Sequence, residues 1–540
     1  RLKDVDKAVA IGKAILTINN GNETSAVDEY KLLNRSVTYS NEPSSLLGLI
    51  RSEVKLERDL QNGAYLNRGQ ILNIVDEVIK SEEDKKVIIP EILRAVEKAK
   101  VDNNGVLTAE AEKAVIDGVI SNRKKIIARI SKGEGLVSDF EALGEIRVNK
   151  DNIDVINTDI KENRTIEKLS ELRIGGLAKA VKEGIAIFDI NNHNYGASAS
   201  NYTAIGQSVN YDTKVNSAYT LIGDAITIKK AIKNDEYLTR NEIINIITEV
   251  NGSLEDQAVI IPKIIEEMNR RTNKGDKLTS EDVLKIESDV KEKIKNVCIR
   301  IRGAEGNLED FKYLGMTKVN ENNIAIINED IKENHTVAPD GIYRLQGLED
   351  AILDGIAIQY INSNNNDQSL INHFARLKLS LTYDSKESSK FMLILSQIKL
   401  NKVLEGGRNL VRKEIVDIVN EVNDEYEDLK NIIPKINSEK SARERSTGKL
   451  LTAEETKKLI EEVKTNLRNV CARVSTGQGI LEDFIYLGQS KVTAENIMII
   501  NNDIKESNKV SLASSYRLTG LEDAINAGIA IYYINNNNTD

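Results

Sequence analysis

Two hydrophobic rhythms alternate along this chain. Arg376-Leu377-Lys378-Leu379-Ser380-Leu381-Thr382-Tyr383 places apolar residues at every second position, the period of a half-buried strand. Leu33, Val37 and Tyr39 keep the same face far upstream, as do Ile205, Val209 and Tyr211. Flanks rich in Ser, Asn and Asp supply turn residues. The pattern predicts a small β element whose strands pair between units, closing edges that would otherwise stay exposed. The next apolar stretch, opening at Leu46, Tyr219 or Phe391, reads as a helix. The period then becomes plainly helical: Ile71, Ile74, Val75 and Val78 fall at i, i+3, i+4 and i+7, and so do Ile243, Ile246, Ile247 and Val250. Asn67 to Gln70 and Thr239 to Glu242 have capping-box spacing at the start of that helix. Pro90, Pro262 and Pro434 are expected in the first turn of the helix that follows, where proline forfeits no hydrogen bond.

These rhythms recur because the sequence is one block written three times. Ile88-Ile89-Pro90 returns as Ile260-Ile261-Pro262 and as Ile432-Ile433-Pro434, stepping 172 residues each time. Tyr30 and Tyr39 return as Tyr202 and Tyr211, then as Phe374 and Tyr383. The first twenty residues match the tail of each block: Arg1 to Gly12 has the same eleven-residue step as Arg173 to Gly184. A chain that opens at the end of a repeat, without Met, reads as a segment of a longer polypeptide; a processed subunit whose loose tail docks on a neighbour would look the same. The expected fold is α+β, mainly α: a tandem array of three domains of about 172 residues, each a helical bundle with a small β element. Its divisions are a terminal helix at 1–20 and repeats at 21–192, 193–363 and 364–540. Units of this size can fold alone, unlike the short repeats of solenoids.

The second part of each block is the most distinctive. Asp139-Phe140-Glu141-Ala142-Leu143-Gly144 matches Asp310-Phe311-Lys312-Tyr313-Leu314-Gly315 and Asp483-Phe484-Ile485-Tyr486-Leu487-Gly488. Each is followed by Val148, Val319 or Val492, a cap, and a helix opening at Ile153, Ile324 or Ile497. Physically this is a short helix stopped by Gly, a tight link and a second amphipathic helix. The stretch resembles the short helical repeats of very large bacterial cell-surface and adhesin-like proteins, over roughly 50 residues per block. Ile and Lys stand here where those repeats carry Ala. The resemblance implies an extracellular or cell-surface setting and names no ligand. The closing helix of each block carries a small-residue face: Ala8 and Gly12, Ala180 and Gly184, Ala351 and Gly355, Ala524 and Gly528. Gly inside a helix costs about 1 kcal/mol relative to Ala, so its return in four copies signals close helix packing, within a unit or as a seam between units or subunits. Asn-rich runs at Asn191-Asn192-His193-Asn194, Asn362 to Asn366 and Asn535 to Asn538 read as joints between domains.

Composition narrows the function. A net charge of −10 disfavours a nucleic-acid partner, which would want a basic stripe. No run approaches the length and apolarity of a transmembrane helix. Cys298 and Cys471 share one repeat position with Ile127, which marks a small buried apolar site rather than a disulfide. Asp102-Asn103-Asn104-Gly105 has the oxygen-rich start of a calcium loop, but Lys274 and Lys449 enter the other copies, so a turn is expected. His193, His335 and His373 fall at non-matching positions, and no metal, cofactor or nucleophile pattern is found. Arg129, Arg300 and Arg473 recur at one position and suggest a buried or interface ion pair. The expectation is a non-enzymatic structural repeat protein, with no catalytic, metal or cofactor-binding residues and no cofactor. It would form a self-associating extracellular string or filament at a bacterial surface, an arrangement that would also suit adhesion. The alternative is an intracellular multivalent scaffold that binds protein partners through each repeat.

Overall fold

The sequence period reappears as a period of elements. The computed structural model describes residues 2–21, 26–192, 198–275, 277–363 and 367–536. After α1 (Leu2–Asn19), the first block runs α2 (Ala26–Leu32), α3 (Leu46–Leu60), α4 (Arg68–Lys80), α5 (Glu82–Asp102), α6 (Ala109–Ser131), α7 (Val137–Ala142), α8 (Ile153–Asn163), β1 (Glu167–Lys168), β2 (Ile174–Gly175) and α9 (Leu177–Asn191). The second runs α10 (Ser198–Ala204), α11 (Ala218–Ile232), α12 (Arg240–Gly252), α13 (Leu254–Thr272), α14 (Ser280–Arg302), α15 (Leu308–Tyr313), α16 (Ile324–Asn334), β3 (Ala338–Pro339), β4 (Leu345–Gln346) and α17 (Leu348–Asn362). The third runs α18 (Leu370–Arg376), α19 (Lys390–Leu404), α20 (Arg412–Asp424), α21 (Tyr426–Thr447), α22 (Ala453–Ser475), α23 (Leu481–Tyr486), α24 (Ile497–Ser507), β5 (Ser511–Ser514), β6 (Arg517–Thr519) and α25 (Leu521–Asn535). Corresponding helices agree in length: 15 residues for α3, α11 and α19, and 23 for α6, α14 and α22. The fold is mainly α, and among the described residues its β content is three antiparallel two-stranded hairpins.

Local chemistry explains the helix starts. Ser45, Ser217 and Ser389 cap α3, α11 and α19 by accepting from the amide three residues on. The expected capping boxes form at Asn67/Gln70 and Thr239/Glu242. At α20 Val411 has no side-chain oxygen, so only half of the box survives, Glu414 accepting from the Val411 amide at 2.9 Å.

Contacts divide the chain into two compact units, Arg1–Glu287 and Ser288–Asp540, with the cut inside α14. In the first unit one core gathers Ile18, Tyr30, Leu47, Ile50, Ile71 and Ile89, and a second gathers Ile130, Phe140, Ile156 and Val181. In the second unit one core holds Phe311, Ile327 and Ile352, another holds Ile361, Phe374, Phe391 and Ile433, and a third holds Phe484 and Ile500. The α17 helix contributes to two of these: Ala351 and Ile352 to one, Ala357, Ile358 and Ile361 to the next.

Two local expectations are corrected. The alternating stretches near Tyr39, Tyr211 and Tyr383 belong to no strand. Short helices α2, α10 and α18 precede them and end in turns that return onto the buried aromatic position: the Arg35 amide reaches Tyr30 O at 2.9 Å, and the Gln207 amide reaches Tyr202 O at 2.8 Å. Leu33 and Val37, and likewise Ile205 and Val209, are buried without any ladder, while Tyr39 and Tyr211 are 48% and 59% exposed, so alternation alone does not demand a strand. The small β elements lie instead between α8 and α9 and at the corresponding places, with Glu167 opposite Gly175 and Lys168 opposite Ile174 in the first. The prolines are the second correction. Pro90, Pro262 and Pro434 each stand ninth in their helix. Acidic residues before Ile-Ile-Pro, such as Glu82, Glu83 and Asp84, favour the positive helix end and start the helix two turns early. Each proline then leaves one backbone carbonyl without its intrahelical donor.

Candidate functional site at the repeat joints

The recurring arginines close the second part of each block. Arg129 Nε donates to Asp139 Oδ2 at 2.7 Å, and Arg300 and Arg473 repeat the contact on Asp310 and Asp483 at 2.9 Å. The same carboxylates accept from the amides of Leu136, Asn307 and Ile480, which start the short helices. The Arg300 guanidinium holds the Asp310 carboxyl below its ordinary value against the opposing effect of burial. For Asp139 and Asp483 burial is the largest influence and pushes upward, but the arginine and amide bonds together outweigh it. Ile127, Cys298 and Cys471 are all buried, as the shared repeat position implied, and burial pushes the Cys471 thiol up to about 11.

The tail-helix glycines serve packing inside the block. A Cβ on Gly184 would lie 2.7 Å from Ile156 Cγ1, one on Gly355 2.5 Å from Ile327 Cγ1, and one on Gly528 2.8 Å from the Ile500 backbone. The seam between blocks therefore does not run through Ala180/Gly184 or Ala351/Gly355, whose small faces meet α8 and α16 of their own block. Ala8 is exposed and Gly12 faces open space.

The joint is made by the other half of the tail helix, starting with an asparagine read from the sequence as tether. Asn191 is fully buried; its Nδ2 donates to Leu238 O at 2.9 Å, and its Oδ1 accepts from the Leu238 amide at 2.7 Å. Asn362 repeats this on Leu410 at 2.9 and 2.8 Å, and Asn19 on Leu66 at 3.0 and 2.8 Å. One amide side chain thus replaces a backbone partner for a buried N–H and C=O in the following block. Lys230 Nζ and Lys402 Nζ donate to the backbone oxygens of Asn191 and Asn362 at 2.7 Å. Arg58 does the same on Asn19. Of the Asn-rich runs, 193–197, 364–366 and 537–540 lie outside the described residues.

A buried ion triad completes each internal joint. Arg240, the first residue of α12, donates from Nε and Nη2 to Asp159 of α8 at 2.8 and 2.7 Å, and from Nη2 to Glu183 of α9 at 2.6 Å. Arg412 at the start of α20 reproduces all three distances on Asp330 and Asp354. The carboxylates are almost removed from water: the side chains of Asp159 and Asp330 are 1% exposed. Burial would lower the Arg240 pKa, but the bonds to Asp159 and Glu183 outweigh it and hold it above the ordinary value. Beside the Arg240 triad lies a cavity of about 100 Å³ bordered by Tyr237, with Phe188 and Tyr237 rings 5.5 Å apart nearby. At the Arg412 joint the corresponding residues are Gln359 and Asn409, and the cleft grows to about 510 Å³. These joints were only partly legible: Arg240 and Arg412 look like ordinary first-turn residues, and the matching Asp159 and Asp330 look like solvated helix acids.

The histidines have local places. His335 takes a left-handed conformation at the end of α16, and His373 stacks on Tyr360 with ring centroids 4.4 Å apart; His193 lies outside the described residues. The Asp102–Gly105 stretch closes α5 as a turn, the Gly105 amide reaching Lys100 O at 2.7 Å. Among the described residues no helix is long and apolar enough to cross a membrane. Comparisons with protein-family models, with curated proteins and with solved structures each gave no match.

Proposed function

We propose that this chain is a non-enzymatic structural repeat protein, a stiffly jointed string of three domains at a bacterial cell surface that sets reach and valency. The observation that carries the reading is the twice-built joint, in which a shared helix, a buried Asn bridge and an Arg–carboxylate triad recur with matching distances. A flexible array would need none of these. Buried ion pairs contribute little net stability but are well suited to fixing one geometry. The exposed apolar residues also favour a spacer over a scaffold with one partner site per block. Ile146 is 82% exposed, yet Thr317 and Ser490 hold the matching positions; Leu136 and Ile480 are 55% and 54% exposed, but Asn307 stands at that place in the second block, so neither position is apolar in all three blocks.

Small-angle scattering of residues 1–540 at concentrations where the chain is monomeric tests this reading. The expected outcome is one narrow distribution of maximum dimension that Arg240→Ala and Arg412→Ala broaden. A broad distribution in the unaltered chain would discard the stiff string. Stoichiometric capture of one protein partner per block would establish the scaffold instead.

A further inference from the structure

In the first block an ion pair ties α5 to α6. Arg123 of α6 donates from Nη1 to Glu91 of α5, and its Nε donates to Leu172 O at 2.7 Å. In the third block that pair is gone: Lys435 stands where Glu91 does, and Leu467 where Arg123 does. A cavity of about 400 Å³ lies there, walled by α21, α22, β6 and the start of α25. Leu467, Leu487, Leu518 and Leu521 make it partly apolar, and its lining carries three cations, Lys430, Lys435 and Arg517, against one carboxylate, Glu522. Lys430 and Arg517 share Glu427 at 2.7 and 2.9 Å. Lys435 is less well answered. Its Nζ donates to the Tyr486 backbone oxygen and lies 4.2 Å from the centroid of that ring, but among the described residues it has no carboxylate partner. Burial pushes this ammonium below its ordinary value, opposed only by the nearby Cys471. The cavity lies within one block. Ala178, which matches Glu522, is exposed although a second block follows it, so a following block leaves this face open.

We propose that this cavity binds a small organic carboxylate with an apolar body, its head against Lys435 and its body along Leu467 and Leu487. The head supplies the counter-charge that Lys435 lacks, in the space that the Arg123 side chain takes in the first block and the shorter Leu467 leaves open. An ammonium–carboxylate hydrogen bond is among the stronger kinds, and a half-dry setting strengthens it further. Four leucines offer a bare inorganic anion no bonds, whereas they gain by covering an apolar body. The volume falls in the range of small-ligand sites. None of the lining residues belongs to the buried triads at the joints, so ligand binding and stiffness of the string are separate properties.

Isothermal titration calorimetry of residues 1–540 with hexanoate tests the proposal. The expected result is saturable binding of one hexanoate per chain. Hexylamine, with the same body and the opposite head, should not bind, and inorganic phosphate should bind at least about tenfold more weakly. Lys435→Met keeps most of the side-chain volume and should weaken hexanoate by about tenfold or more. Lys435→Glu combined with Leu467→Arg rebuilds the ion pair of the first block and should abolish binding without lowering the melting temperature. No saturable binding of hexanoate overturns the proposal. So does hexylamine or phosphate binding as tightly as hexanoate, and so does hexanoate affinity unchanged by Lys435→Met. Each of these failures leaves the scattering test of a stiff string untouched, so the two readings fail separately.

Discussion

Replacing Arg240 by Met isolates what the triad contributes at the first internal joint. The substitution keeps most of the side-chain volume and removes the charge from between Asp159 and Glu183, whose side chains are 1% and 7% exposed. Removing one partner of a buried ion pair costs about 3–5 kcal/mol, because the remaining charge is left without compensation. Two residual donors pull the expectation toward the lower figure: Asn163 Nδ2 lies 2.9 Å from Asp159, and Lys179 Nζ lies 3.7 Å from Glu183. A loss of about 3 kcal/mol is roughly a hundredfold change in the opening equilibrium. Native-state hydrogen exchange at the Leu238 amide reads it directly, since that amide is held by Asn191 across the joint. A double-mutant cycle with Asp159→Asn should return a coupling of about 2 kcal/mol or more. A loss under about 1 kcal/mol with no coupling would falsify the joint as a buried device and reduce it to an exposed ion pair.

Three further outcomes are expected. Gly355→Ala should cost about 1–3 kcal/mol in a thermal melt, because its Cβ would meet Ile327 at 2.5 Å; Gly12→Ala, with nothing within 4 Å, should instead stabilise α1 by up to about 1 kcal/mol. The Asp139, Asp310 and Asp483 carboxyls are all held below the ordinary 3.8, so their stabilisation is present above that value and lost as pH falls through their depressed values. Melting temperature should drop across that acid window, and Asp310→Asn should flatten part of the drop; an equal slope in the variant would contradict the linkage. Asn409→Tyr with Gln359→Phe should import the aromatic pair of the other joint into the 510 Å³ cleft and raise the melting temperature. A drop in melting temperature would show that the cleft needs its present residues.

Much of the fold was visible in the order of residue types because local rules decide it. Capping residues, helical spacing and left-handed glycines act over a few positions, so α4, α6, α12 and the Gly144 stop could be placed without any partner. The period itself is a property of sequence, visible in residue types that return at a step of 172 without any structure. Burial at the Ile127, Cys298 and Cys471 position followed from comparing copies.

Only tertiary structure decided what each repeated feature is for. Alternation near Tyr39 suits a strand or an unpaired segment equally well, and the choice depends on whether another strand is within reach. A proline within a helix is admitted once acidic residues before it have begun the turn. Gly184 and Asn191 sit seven residues apart on one helix, yet the first packs inside its block and the second enters the next. That division depends on which neighbour lies against each half of the helix. The triads are the furthest from local reading: Arg240 lies 81 residues from Asp159 and 57 from Glu183 along the chain. Desolvation, which turns an ordinary surface charge into a committed joint, comes into being only when the chain has folded around it.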